Sequence, residues 1–220
     1  MFSRFTKENR RAQSEMKTDF EMPYWQMYSH IAGVDEVGRG CLAGAVVAAA
    51  VVFERDFKPE GILQQVNDSK QLPPSLREEL AAAIKKTAKS YALAEVPPSE
   101  IDKHNILNAT MRAMNQAIER LSPLPDFLFI DGNYFKPVLP IPFQTVVKGD
   151  SSVFSIAAAS ILAKVHRDNL MKQLDADYPQ YGFAKHVGYA TREHIDAIKK
   201  YGRCAIHRQS FKLKALSEKM

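Results

Sequence analysis

Four carboxylates stand out by where they fall along the chain. Asp35 and Glu36 close the apolar run IAGV, Asp131 closes FLFI, and Asp150 follows the short β-branched stretch QTVV in the triplet Lys148-Gly149-Asp150. Apolar runs of this length, bounded by glycine and charge, read as buried strands. In open α/β sheets ligands collect beyond the strand ends. Carboxylates gathered at such a place repel one another and raise one another's pKa values, a penalty that a divalent cation removes. Oxygen ligands without Cys or His suit Mg2+ or Mn2+. Two such ions about 3.5–4 Å apart form a phosphodiester-hydrolysing centre, in which one activates water and the other stabilises the leaving oxygen. Taken singly, each acid is also what an exposed turn supplies.

The neighbours of these acids belong to the same chemistry. Gly38-Arg39-Gly40 follows the acid pair directly; two glycines allow close approach of a substrate backbone, and Arg39 is placed for a phosphate or groove contact. Asp68-Ser69-Lys70 precedes Pro73 and offers a hydroxyl and an ammonium to a phosphate. Lys148 sets a cation beside Asp150. Three further residues read as structural or superficial: Asp168 inside a helical stretch, His186 as a surface histidine, and Cys41 as packing.

These residues need a scaffold. IAGVDE and AGAVVAAAVVF read as the first two strands, with GRG between them, and SYALAEV (90–96) as a third. Ser75 to Glu78 after Pro73-Pro74 matches a capping box for a helix with Leu76, Leu80, Ile84 and Ala88 on one face. After Pro97-Pro98-Ser99 a second helix carries Ile106, Leu107, Thr110, Met111, Met114, Ala117, Ile118 and Leu121 on one face. DFLFID is a strand buried on both sides, residues 144–147 form a short one, and a long Ala-rich helix follows. A last helix over 191–201 stops at Gly202. Strands first, then strands alternating with helices, predict an α/β fold with a mixed sheet. Residues 1–30 form an N-terminal extension packing loosely on the body, and 31–220 one domain ending in a basic helical segment from about residue 178.

Composition sets the outer limits. With 220 residues, 45% hydrophobic and 25% charged, the chain is a folded domain with at most a small appendage, and not disordered, collagenous or coiled-coil. The net charge of +5 is uneven: residues 181–220 hold nine basic against three acidic residues, a net +6, which leaves −1 for the rest. Such asymmetry fits either a polyanion footprint or a solvated lysine-rich tail. Two distant cysteines, Cys41 and Cys204, exclude a zinc cluster or disulfide framework and suit a reducing compartment. The first twenty residues lack the apolar core of a signal peptide. The longest apolar stretch, Cys41 to Phe53, is too short to span a bilayer. A cytoplasmic protein without membrane contact is expected.

Taken together, IAGVDEVGRG, NDSKQL, NILNATMRAMNQAI, FIDGN, VVKGDSSVFSIAAASILAKVHRD, YPQYGFAKHVGYAT and IHRQSF, in that order from Ile31 to Phe211, resemble the bacterial ribonuclease HII family of type 2 ribonucleases H. The resemblance implies a ribonuclease H-like mixed sheet flanked by helices, with a helical C-terminal segment. It implies cleavage of the RNA strand of RNA–DNA hybrids and incision 5′ to single ribonucleotides in duplex DNA, with two Mg2+ or Mn2+ ions. The family's metal-binding acids fall on Asp35, Glu36, Asp131 and Asp150. Its 2′-OH-reading element falls on Gly38, Arg39 and Gly40, its phosphate-contacting lysine on Lys70, and its junction-sensing tyrosine on Tyr189. A 2′-OH is what distinguishes RNA from DNA at a given site.

GYAT departs from the usual GYPT: Ala190 replaces proline, which loosens the loop carrying Tyr189. Residues 1–30 exceed the minimal family length, lack a clear counterpart in the quoted motifs, and are too few for the extra domain of ribonuclease HIII. The partners implied are hybrid and ribonucleotide-containing duplexes bound by a monomer, with the basic C-terminal segment clamping the duplex; a replication-clamp partner is not derivable from these residues. Two rival readings are a hybrid-binding module without turnover and a nuclease of the same fold acting on DNA alone. The intact acid set disfavours the first, and GRG with Tyr189 the second.

Overall fold

A computed structural model describes residues 18–212. Its centre is a five-stranded mixed sheet in the order β3-β2-β1-β4-β5. The strands are β1 (Ile31–Val37), β2 (Val46–Val52), β3 (Ser90–Val96), β4 (Phe127–Asp131) and β5 (Phe143–Val146). β1, β2 and β3 pair antiparallel, whereas β4 and β5 continue from β1 in parallel. Strand β2, VVAAAVV, is buried at every residue. Its even-numbered side chains pack with α3 (Pro98–Glu119), and its odd-numbered ones with α2 (Pro74–Thr87) and α4 (Phe154–Asp177). The two-residue period of a strand thus feeds two apolar layers. A short helix α1 (Met22–Trp25) precedes β1, and α5 (Phe183–His186) and α6 (Arg192–Tyr201) follow α4. No helix among the described residues is long and apolar enough to cross a membrane.

Helix α4 lies against β1 because Gly33 has no side chain. A Cβ there would sit 2.2 Å from the Ser155 carbonyl carbon and 2.3 Å from the Ile156 nitrogen. The small residues Ala157, Ala158 and Ala159 keep the contact close, all of them fully buried.

Four expectations are corrected here. The capping box does not form: Pro73 occupies the N-cap position without a side-chain bond and Pro74 opens α2, so Ser75 is already helical. The helix after Pro97 is kinked at Asn105 (φ 64°, ψ 165°), and Leu107, beyond the kink, is 41% exposed and off the buried face. The described part of the N-terminal extension packs closely. Trp25 and Glu21 are buried, Tyr24 and Tyr28 stack about Phe127, and Asp126 accepts the backbone N–H groups of Ser29 and His30 at 2.8 and 2.9 Å. Among the described residues the C-terminal segment is helical only through Tyr201; residues 203–212 run on as an irregular strap, and Lys214 and Lys219 lie outside the described residues.

Candidate active site

Parallel pairing brings the first two acids together. Val34 of β1 is opposite Ile130 of β4, so the next residues, Asp35 and Asp131, are neighbours at the same end of adjacent strands. Asp131 in turn pairs with Val146 of β5. Beyond β5, Lys148 takes the left-handed conformation (φ 57°), and the chain folds into a 3-10 turn over Gly149–Ser151 that carries Asp150 back toward the strand ends. The Gly149 N–H donates to Asp131 Oδ1 at 2.7 Å. A Cβ on Gly149 would lie 2.5 Å from Ile156 Cδ1 and 3.3 Å from that carboxylate oxygen, so any larger residue would have to displace the Ile156 side chain for the turn to seat there.

Alternation along β1 divides the acid pair. Asp35 lies on the same face as Gly33, toward α4, where its carboxylate accepts from the Ser160 hydroxyl and, at 2.7 Å, from the Glu36 N–H. Glu36 lies on the other face and pairs with Arg39 at 3.1 Å. Burial, then the charges of Glu36 and Asp131, push the Asp35 carboxyl well above the usual range. Burial also raises Glu36, against the pull of Arg39. Asp150 is raised by burial and by Asp131 and Asp68, with Lys70 opposing. Lys70 Nζ is 3.6 Å from Asp150. Burial lowers the Lys70 ammonium pKa, but the summed attraction of Asp150, Asp68, Asp35 and Asp131 carries it above its ordinary value. The cluster thus gathers four carboxyl groups beside two cations, Arg39 and Lys70, and the crowding disfavours full ionisation.

The donor set fits divalent cations. Among the described residues no three His, Cys, Asp or Glu side chains close around a common point that could hold an ion. What the four acids offer is oxygen donors alone, the ligand chemistry of Mg2+, which keeps several waters and takes one or two carboxylates together with substrate phosphates.

The remaining sequence-derived residues divide. Arg39 and Gly40 are exposed beside Glu36, and nothing lies within 4 Å of where a Gly40 Cβ would stand. Gly38 (φ 93°) is buried, and its missing Cβ makes room for Arg167, 2.3 Å away, rather than for a substrate. Lys148 is exposed at the rim. Ser69 does not face outward as expected: it is 3% exposed, and its hydroxyl shares a 2.9 Å hydrogen bond with Ser160, the residue that supports Asp35.

Tyr189 is 40% exposed, with its hydroxyl at the Cys41 thiol and Lys164 Nζ 6.0 Å from the ring centre. Its loop is not slack for want of proline. Tyr189 N–H donates to His186 O at 2.9 Å, and its carbonyl binds His194 Nδ1 at 2.8 Å. His186 is not a surface residue; it is buried and stacked on His194 with ring centres 4.4 Å apart. Asp168 stands apart from the acid cluster, held by Lys164 at 2.7 Å and Arg77 at 3.7 Å.

Sequence reasoning missed Ser160 and two arginines. Arg167 and Arg208 are both fully buried, and among the described residues neither has a carboxylate within ion-pair distance. Arg167 donates to the carbonyls of Ala45, Val187 and Ala43 at 3.0, 2.8 and 3.0 Å. Arg208 donates to Gly38, Arg39 and Gly44 carbonyls at 2.6–3.1 Å. Burying such a cation costs roughly several kcal/mol, and charge-assisted bonds of about 1.5–3 kcal/mol each offset it. Lone arginines in polar-looking motifs give no sequence signal for this, because their partners are backbone atoms.

Comparison with known proteins places this geometry. The family model described as ribonuclease HII matches residues 32–214. A ribonuclease HII of Chloroherpeton thalassium is 63% identical over 204 residues, covering 93% of this chain and all of that protein. Among solved structures, the ribonuclease H2 of Pyrococcus horikoshii aligns with a TM-score of 0.69 at 26% identity, covering 83% of this chain and 94% of that one. The ribonuclease HII of Archaeoglobus fulgidus, solved in complex with PCNA, gives 0.70 at 26% identity, over 84% and 96%.

Proposed function

This chain belongs to the ribonuclease HII family, and from that premise we propose that Asp35, Glu36, Asp131 and Asp150 hold two divalent cations, Mg2+ or Mn2+, at the scissile phosphate. The enzyme is a metal-dependent endonuclease that cleaves RNA in RNA–DNA hybrids and at ribonucleotides embedded in duplex DNA. The observation that carries the site assignment is the convergence of four carboxyl groups, Asp35 and Asp150 buried and Glu36 and Asp131 half-buried, at the ends of β1 and β4 and in the turn after β5, with Arg39 and Lys70 beside them.

When bound, the cations supply the charge that activates water and stabilises the leaving oxygen. The chain's own residues do the rest. Ser160, fixed by Ser69, orients the Asp35 carboxylate, and the Gly149 N–H orients Asp131. Lys70 is placed to exchange its contact with Asp150 for a substrate phosphate oxygen. The backbone of Gly38, Arg39 and Gly40 reads the 2′-OH, and the Tyr189 ring packs on the following sugar. Lys148 contacts the phosphate backbone. In-line attack of water breaks the P–O3′ bond, so the incision 5′ to the ribonucleotide leaves a 5′-phosphate and a 3′-hydroxyl.

Asp131→Asn removes one cation-holding charge while keeping the side-chain volume and the capacity to accept from Gly149. Cleavage of a duplex with one ribonucleotide should be abolished, with hybrid binding retained. Wild-type turnover by this variant would sink the assignment.

A further inference from the structure

The IHRQSF segment takes no part in the chemistry described so far, yet it is the most firmly anchored stretch of the C-terminal strap. Arg208 N–H donates to Leu42 O at 2.8 Å, Gly44 N–H to Ile206 O at 2.9 Å, and Ala43 bridges to His207. Arg203 ties the strap to itself through the carbonyls of Arg208, Gln209 and Phe211 at 2.5–2.9 Å. Asp102 of α3 takes the N–H groups of Gln209 and Ser210 at 2.9 Å and the Ser210 hydroxyl at 2.6 Å. All this fixes one side chain, that of Arg208, beneath residues 38–44.

Its bonds fall on consecutive peptide groups. Nη2 holds the Gly38 carbonyl at 2.6 Å and Nη1 the Arg39 carbonyl at 2.8 Å, while Nε and Nη2 share Gly44 O at 3.1 and 2.9 Å. A trans peptide is planar, with its C=O and N–H pointing in opposite directions. The carbonyl of Gly38 belongs to the plane that carries the Arg39 N–H, and the carbonyl of Arg39 to the plane that carries the Gly40 N–H. Drawing both carbonyls toward the buried guanidinium turns both N–H groups outward, where Arg39 and Gly40 are exposed. Among the described residues neither N–H finds an acceptor. Two successive outward N–H groups form a concavity that receives an oxygen.

We propose that Arg208 is a positioning residue for ribose recognition: by gripping the Gly38 and Arg39 carbonyls it aims the Arg39 and Gly40 N–H groups at the substrate's 2′-oxygen. Arg167, bonded to Ala43, Ala45 and Val187, ties the same loop to the one bearing Tyr189. The proposal rests on the ribonuclease HII reading of this loop and adds to it the residue that sets its geometry. A lysine cannot replace Arg208, because three donors on one nitrogen do not span the fork that two adjacent carbonyls require.

The test compares binding with and without the 2′-OH in an Asp131→Asn background, which removes cleavage. Dissociation constants are measured for a duplex with one ribonucleotide and for the same all-deoxy duplex. With Arg208→Lys the preference for the ribonucleotide should fall about tenfold, the scale of a hydrogen bond or two lost, while all-deoxy affinity is unchanged. Equal loss on both duplexes, or an unchanged preference, overturns the proposal. A parent protein without any ribonucleotide preference overturns the family reading of the loop first, and the proposal with it. If thermal melting shows Arg208→Lys unfolded, Asp102→Ala frees the strap from the exposed side. Its preference should fall in the same direction, and an unchanged value counts against Arg208.

Discussion

Asp35 and Glu21 are both buried carboxyls raised by desolvation, and they do opposite work. Asp35 sits among other acids, where a bound cation would take the place of its proton. Glu21 accepts hydrogen bonds from the Ser155 N–H and hydroxyl, pairs with no cation among the described residues, and its carboxyl is pushed up by burial from 4.5 to about 7. The folded chain therefore keeps a proton that the unfolded chain releases above pH 4.5. Stability from this group is full below about 4.5 and is lost as pH rises through about 7. Between pH 5 and pH 8 the wild type should lose roughly 2–3 kcal/mol more than Glu21→Gln. Urea unfolding at the two pH values checks this, and equal pH dependence would rule it out. Asp131→Asn belongs to the same scale: one charge removed from the strand end, cleavage lost, binding kept.

At the scale of elements, the site depends on how closely α4 rests on β1. Ser160 supports Asp35 from α4, and Gly33 makes the approach possible. Gly33→Ala would set a methyl 2.2–2.4 Å from the atoms of Ser155 and Ile156, mostly backbone. The helix must shift, which should cost about 1–3 kcal/mol or more. Activity should fall further than stability explains, because Ser160 moves with the helix. Denaturant midpoints beside kcat at saturating substrate test this; full kcat at a lowered midpoint would separate the helix from the site. The 38–45 loop is likewise an element held from behind, by Arg167 and Arg208.

For the whole molecule, the net charge of +5 misrepresents what a duplex meets. Two of the nine basic residues after position 180, Arg203 and Arg208, spend their donors on backbone carbonyls. Lys148 is exposed beside the acid cluster, where the proposed reading puts it against the phosphate backbone. Lys148→Gln should weaken hybrid and all-deoxy binding alike and reduce the slope of log K against log salt by about 0.9, the value for one phosphate contact. Binding titrations over a salt series measure it; an unchanged slope places Lys148 off the nucleic acid path.

The sequence alone pointed to the acids to consider together, because Asp35, Glu36 and Asp131 end apolar runs that read as buried strands, and Asp150 follows another. It also determined the alternation of strand and helix, which local periodicity carries. Tertiary structure decided what supports those acids. Ser69 meets Ser160 across 91 residues, Glu21 meets Ser155 across 134, and Arg208 meets Gly38 across 170. No local pattern encodes such pairs: each is a side chain meeting a distant group, often backbone, which every residue carries and none advertises. Only once β1, α4 and the C-terminal strap are packed together does a hydroxyl become a brace for a carboxylate, and an arginine from the basic end of the chain become the support of the Gly38–Gly44 loop.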